Sequence, residues 1–256
     1  MRLVGLFAVL LLAGALFSVI PDLPDWGDVN SPPNSHLSPT YITQVMEETS
    51  VPNIVTAVLA DYRGFDTMLE TTVVLIGGLA ILVLLRHFRR ERRKQDGAFQ
   101  TDLPPNRPNQ IIMTTCRLMV PPIQLFALYV VAHGHHSPGG GFQGGVIFGA
   151  SLILLALSYN MREVLNRINE SMLIVLSCVG VLIFAGAGIL SLALGANFLD
   201  YSAWHPLMMM KEEVGRVAAR SLGMLIVEIG VAFTVTCIMF SIYFDLAARS
   251  EWSEED

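Results

Sequence analysis

Acidic side chains inside apolar stretches are the residues of this chain best suited to chemistry, because ionisable groups are rare in a bilayer and usually functional there. The segment Val51 to Glu70 reads VPNIVTAVLADYRGFDTMLE and holds Asp61, Arg63, Asp66 and Glu70 just before or within an apolar run. Asp66 and Glu70 are four apart, so a helix puts them on one face, and Arg63, seven before Glu70, falls near the same face. An arginine near two carboxylates keeps at least one ionised, and a carboxylate poised this way takes up and releases a proton or holds Na⁺. Asp61, Arg63 and Asp66 equally suit a solvated cap at the membrane edge, whereas Glu70 lies deeper. Glu228 stands in MLIVEIGVAFTV, otherwise apolar, and must face protein or water rather than lipid. Hydrogen bonding and proton transfer are both open to it. Arg117 is the nearest plausible opposite charge in kind.

A third chemical feature is the run His133-Gly134-His135-His136-Ser137-Pro138-Gly139-Gly140-Gly141-Phe142-Gln143-Gly144-Gly145. Three histidines invite a zinc reading, but a fourth ligand is missing and no metal is expected. The run reads as a tight turn between two spans, in which Pro138, Gly139, Gly140, Gly141, Gly144 and Gly145 are structural and the glycines permit positive φ. The helix that begins inside it turns free N–H groups toward the turn, where an anion or a polarised water is favoured. Gly141, Gly145 and Gly149 recur every four residues, the pattern for close helix contact in membranes. His133, an imidazole, is a candidate proton relay. Further on, Glu212, Arg216 and Arg220 follow at four-residue steps, which suits a self-paired surface turn.

The elements that must position these groups are membrane helices. Of 256 residues, 53% are apolar and only 15% charged, with mean hydropathy +0.54. A membrane helix needs about 20 mostly apolar residues, and six stretches qualify: 3–20, 67–86, 111–132, 143–160, 171–194 and 221–244. The first resembles a signal peptide, but its apolar core runs on to Ile20, so it is expected to stay as a helix. Six of the 16 Lys and Arg lie in Arg86 to Lys94, which anchors that end in the cytoplasm. Alternation then puts both termini in the cytoplasm. Pro21 to Ser50 carries five prolines and no Lys or Arg, and is expected as a mostly extended outside loop. Residues 95–109, with Pro104, Pro105 and Pro108, read as a cytoplasmic linker between a two-helix front (1–94) and a four-helix back (110–256).

Several classes are excluded. The formal net charge of −6 argues against nucleic acid. Cys116, Cys178 and Cys237 form no CxxC pair, which fits buried thiols rather than cluster or zinc ligation. No P-loop, dinucleotide glycine fingerprint, GxSxG or HExxH occurs, and no cofactor is expected in this chain. The chain by itself is not expected to be an enzyme.

Two segments resemble known families. NIVTAVLADYRGFDTMLET, Asn53 to Thr71, is similar to the signature of the E-type subunit of membrane-bound hydrogenases, a segment that also occurs near the end of the large A-type subunit of Mrp-type Na⁺/H⁺ antiporters. GHHSPGGGFQGGVI, Gly134 to Ile147, resembles the hallmark of the B-type subunit of Mrp antiporters and its hydrogenase counterpart. Glu213-Val214-Gly215 and Glu228 match more loosely a Gly-Glu-led segment and an acidic last span in that family. His136 and the weakened last motif depart from the pattern and leave the roles of Glu212 and Glu213 open.

The resemblance implies an all-α, six-helix subunit in the membrane arm of a complex related to respiratory complex I, set in a prokaryotic inner membrane among other subunits. Such subunits help couple Na⁺ or H⁺ movement to antiport or to electron transfer. By the match, Glu70 corresponds to the membrane carboxylate of the E-type segment, tuned by Arg63 and Asp66, with Asp61, His133 and Glu228 as further polar groups along a hydrated path. The alternative is a structural adapter that only holds the ion-pumping subunits together.

Overall fold

The computed structural model describes residues 2–95, 110–158, 170–209 and 211–250. They are nearly all helical: α1 (Arg2–Val19), α2 (Ser38–Thr49), the short α3 (Ile54–Ala57), α4 (Gly64–Gln95), α5 (Gln110–Ala132), α6 (Gly141–Ser158), α7 (Glu170–Ala193) and α8 (Glu212–Ser250). Six of them, α1 and α4 to α8, are long and apolar enough to cross a membrane. Short 3-10 turns cover Ile20–Asp22 and Tyr201–Met208, and π-type turns cover Pro33–Leu37 and Val58–Tyr62. The chain forms two compact units, Met1–Gln44 and Val45–Asp256.

In the first unit α1 buries none of its side chains. The loop that follows is not mostly extended. Pro33 opens a π-type turn, and Pro39 lies in the first turn of α2. Both occupy first-turn positions, where a helix has no use for the missing N–H. The five prolines therefore start helical segments as well as break them.

In the second unit α8 is the axis, packed against α4, α6, α7 and the 3-10 turn Tyr201–Met208, while α5 lies on α6. Lipid offers no hydrophobic drive between helices, so close approach and interhelical hydrogen bonds hold them. Gly141, Gly145 and Gly149 do face α8, on Glu228, Ala232 and Thr236, each four on from the last. A side chain at Gly141 would start 2.0 Å from the Glu228 carbonyl oxygen, and one at Gly145 2.9 Å from that of Ala232. Thr236 donates to the Gly145 carbonyl at 2.9 Å, and Thr234 to that of Ser177 in α7 at 3.0 Å.

These contacts set helix directions: α4, α6 and α8 run one way, α5 and α7 the other. The segments 51–63, 133–140 and 194–209 gather at one end, and the Arg86–Asp245 ion pair (3.3 Å) ties α4 to α8 at the other, basic end. At 39 residues α8 is about 58 Å long, well beyond the roughly 30 Å hydrocarbon core. It starts at Glu212, so the expected surface turn 211–220 is the first two turns of the helix that carries Glu228. The expected linker 95–109, apart from Gln95, lies outside the described residues.

Candidate functional site

Glu228 sits in a cradle of glycines. The Gly141 backbone presses on the Glu228 main chain, and positions where side chains would begin on Gly134 and Gly140 lie 3.0 and 2.9 Å from its two carboxylate oxygens. Gly140 has φ +136, open only to glycine, and its N–H bonds the Val130 carbonyl at 3.2 Å, folding the turn back onto the end of α5. Gly134 and Gly141 serve close approach instead. The group that stands against the start of α6 is thus the Glu228 side chain of α8, with no N–H of the turn bonded to it among the described residues. Glu228 is 8% exposed, and its Oε2 has no hydrogen-bond partner among the described residues. Arg117 lies exposed near the other end of α5, roughly 20 Å of helix rise from the turn.

The front segment clamps this turn. Asn53 caps α3, its side chain accepting from Val55 N–H at 3.1 Å. Its amide also donates to the carbonyls of Gly134 (2.8 Å) and Ser137 (2.9 Å), and its N–H to that of His135 (3.0 Å). Thr56 adds a bond to the Gly134 carbonyl at 2.7 Å. The two motifs, 81 residues apart in sequence at the Asn53–Gly134 bond, are one structure.

The turn separates its histidines. His133 is exposed and stacks on Tyr129 with centroids 4.1 Å apart. His135 is buried, with Nδ1 3.3 Å from Ser221 Oγ of α8 and Nε2 unpartnered among the described residues. Burial, then the charge of His136, push its pKa below the ordinary 6.5. His135 borders an open cleft of about 630 Å³ that Glu47, Ser50, Glu213 and Ser221 also line.

Beside it stands a second buried acid. Arg220 grips Asp61 through Nε at 2.7 Å and through Nη2, reaches Glu48 at 3.6 Å, and lies 5.5 Å from the centre of the Tyr62 ring. Burial raises the Asp61 pKa above 3.8, and Arg220 offsets only part of that. Tyr62 donates to Glu48 at 2.5 Å, and burial together with that carboxylate pushes its phenol up to about 12. Tyr201, fully buried, donates to the Ala60 carbonyl at 3.2 Å.

The remaining expected residues scatter. Arg63 and Asp66 pair with each other at 2.7 Å and are exposed, bordering with Asp61 and Asp200 an open cleft of about 410 Å³. Glu70 is exposed on α4 and has no hydrogen-bond or ion-pair partner among the described residues, so Arg63 engages Asp66 rather than Glu70. Glu212 and Arg216 pair at 2.7 Å as the four-residue step suggests, whereas Arg220 turns to Asp61. Sequence reasoning missed Asn53, Glu48, His135 and the Arg220 pairing. Asn53 carried one signal, a capping residue directly before a helix.

Residues 111–241 match the family described as "Domain related to MnhB subunit of Na+/H+ antiporter", and residues 22–100 match MbhE, the E-type subunit of MBH. The B-type subunit of a Na(+)/H(+) antiporter from Bacillus subtilis is 32% identical over 127 residues, covering 49% of this chain and 88% of its own. The A/B-type subunit of a probable K(+)/H(+) antiporter from Rhizobium meliloti is 29% identical over 178 residues, 64% of this chain but only 18% of that protein. In fold, the chain is similar to a chain of an archaeal membrane-bound sulfane sulfur reductase (TM-score 0.63, 24% identity, 96% of this chain and 97% of the other). It is also similar to a chain of the Mrp complex from Dietzia sp. DQ12-45-1b (TM-score 0.61, 24% identity, 94% of this chain and 25% of the other). Through its helices α5 to α8, the chain belongs to the family of domains related to the MnhB subunit of Na⁺/H⁺ antiporters.

Proposed function

We propose that the chain is a membrane-arm subunit of a multisubunit complex that translocates Na⁺ or H⁺, and that Glu228 is its ion-bearing carboxylate. The observation that carries this is the seat of Glu228: inside a membrane helix, 8% exposed, walled by glycine backbone, with an oxygen unpartnered among the described residues. An ionised carboxylate buried without a counter-charge costs several kcal/mol, so a proton or a cation compensates it. A group that exchanges one for the other is what coupled transport needs. Glu70 takes a different part. A bare carboxylate on a span about 9 Å in from Gly64 is poorly suited to lipid, and it supplies a charge to a site shared with a neighbouring subunit.

The test is Glu228→Gln in the assembled complex in sealed membrane vesicles, with cation-dependent proton movement as the readout. Loss of a positioned proton-transfer group lowers the rate by roughly 100-fold or more, with assembly intact. Normal transport by a fully assembled Gln variant overturns the proposal, and loss of assembly with normal residual turnover marks a structural adapter.

A further inference from the structure

Among the described residues three buried side-chain atoms lack a hydrogen-bond partner: His135 Nε2, Glu228 Oε2 and Ser241 Oγ. Buried polar atoms are nearly always satisfied, so each exception needs a reason. Two of these three flank one residue. Gly134 precedes His135 in the chain, and its missing side chain leaves Glu228 Oε2 3.0 Å from where a Cβ would stand.

The His135 ring also divides two environments. Its Nδ1 meets Ser221, which lines the 630 Å³ cleft, while Nε2 is shut away from the surface. Ser221 and Glu228 are seven residues apart on α8, two turns along one face, so the cleft, the imidazole and the carboxylate follow one another into the membrane. The groups that face the ring from neighbouring elements are Glu47 of α2, Glu213 of α8 and His136 of the same turn. Both carboxylates border the cleft and favour positive charge at its mouth.

We propose that His135, rather than His133, is the proton relay between this cleft and Glu228, a role that rests on reading Glu228 as the ion-bearing carboxylate. A neutral ring with its proton on Nε2 accepts a second proton from cleft water at Nδ1, releasing Ser221. His135 Nε2 and Glu228 Oε2 do not bond each other directly, so the imidazolium passes the Nε2 proton to the Glu228 carboxylate through one intervening water that accepts it and gives up another. The ring is left neutral with Nδ1–H, donates to Ser221 Oγ, and returns to the start by turning over. One proton enters, one leaves, and no other reactant is consumed.

The experiment compares Glu228→Gln, His135→Gln, His135→Ala and Ser221→Ala in the assembled complex, reading transport rate against pH. His135→Gln is expected to slow transport by roughly 100-fold and to flatten the acid limb of the pH profile. In His135→Ala, imidazole added on the cleft side restores part of the rate, which a purely structural role does not predict. Ser221→Ala shifts the pH profile and keeps assembly, so it decides the matter where the histidine variants fail to assemble. An unchanged rate and profile in His135→Gln overturns the relay while leaving Glu228 standing. Full transport by Glu228→Gln removes the underlying reading instead.

Discussion

Two buried acids hang on the same helix and are treated in opposite ways. Asp61 comes from the segment before α4 and meets Arg220 of α8 in a two-nitrogen grip, with Glu48 and Tyr62 closing round it. Glu228, two turns further along α8, meets glycine backbone and, among the described residues, no counter-charge. The first arrangement cannot change charge cheaply, because losing either partner leaves the other half-buried and unpaired. The second is built to change charge, since its walls donate nothing that would fix one state. Polar burial in one small region thus serves both as a clamp and as a carrier.

The sharpest way to break this contrast is Arg220→Ala. It leaves Asp61 buried and unpaired, and removing one member of a buried pair costs about 3–5 kcal/mol. Thermal unfolding in detergent should show that loss, whereas Glu228→Gln should be nearly neutral in the same assay. If the two variants lose similar stability, the clamp and carrier distinction fails.

A second test lies within the glycine stripe. A Cβ at Gly141 would sit 2.0 Å from the Glu228 carbonyl oxygen, while one at Gly149 would meet Thr236 at an ordinary 3.5 Å. Gly141→Ala therefore forces α6 from α8 and costs about 1–3 kcal/mol as overpacking. Gly149→Ala gains up to about 1 kcal/mol of helix propensity and is neutral or slightly stabilising. Equal effects at both positions would show that the cradle is looser than its geometry.

The elements were readable because each is a local property. About 20 apolar residues announce a span wherever they stand, and the four-residue glycine step announced the α6 face that meets α8. Pairing across the chain was not readable. Asp61 and Arg220 are 159 residues apart, and Arg220 sat four residues from Arg216 in a series that offered a local explanation. The glycine turn before α6 and the acid in the last span were both visible, but nothing local said that they meet. The histidines of the turn carry the same chemistry in sequence, and only the fold buries His135 and exposes His133.

That last pair supplies the smallest predicted effect and the finest test of the comparison. Burial, then the charge of His136, lowers the pKa of His135 in its seat below the ordinary 6.5 and so favours the neutral ring. When the turn opens, the ring regains the ordinary value, so the closed turn is fully favoured above pH 6.5. As pH falls below 6.5, the open form takes up a proton that the closed form binds more weakly, and the balance moves toward opening until the lowered closed-state pKa is passed. One proton bounds the slope at about 1.4 kcal/mol per pH unit. Hydrogen exchange at residues 133–140, corrected for intrinsic rates, should therefore speed up on acidification. His135→Gln should abolish that dependence. His133→Gln should keep it, because that ring, stacked on Tyr129, is exposed to solvent whether the turn is open or closed. A pH slope that survives in His135→Gln and vanishes in His133→Gln would reverse the assignment of the two rings.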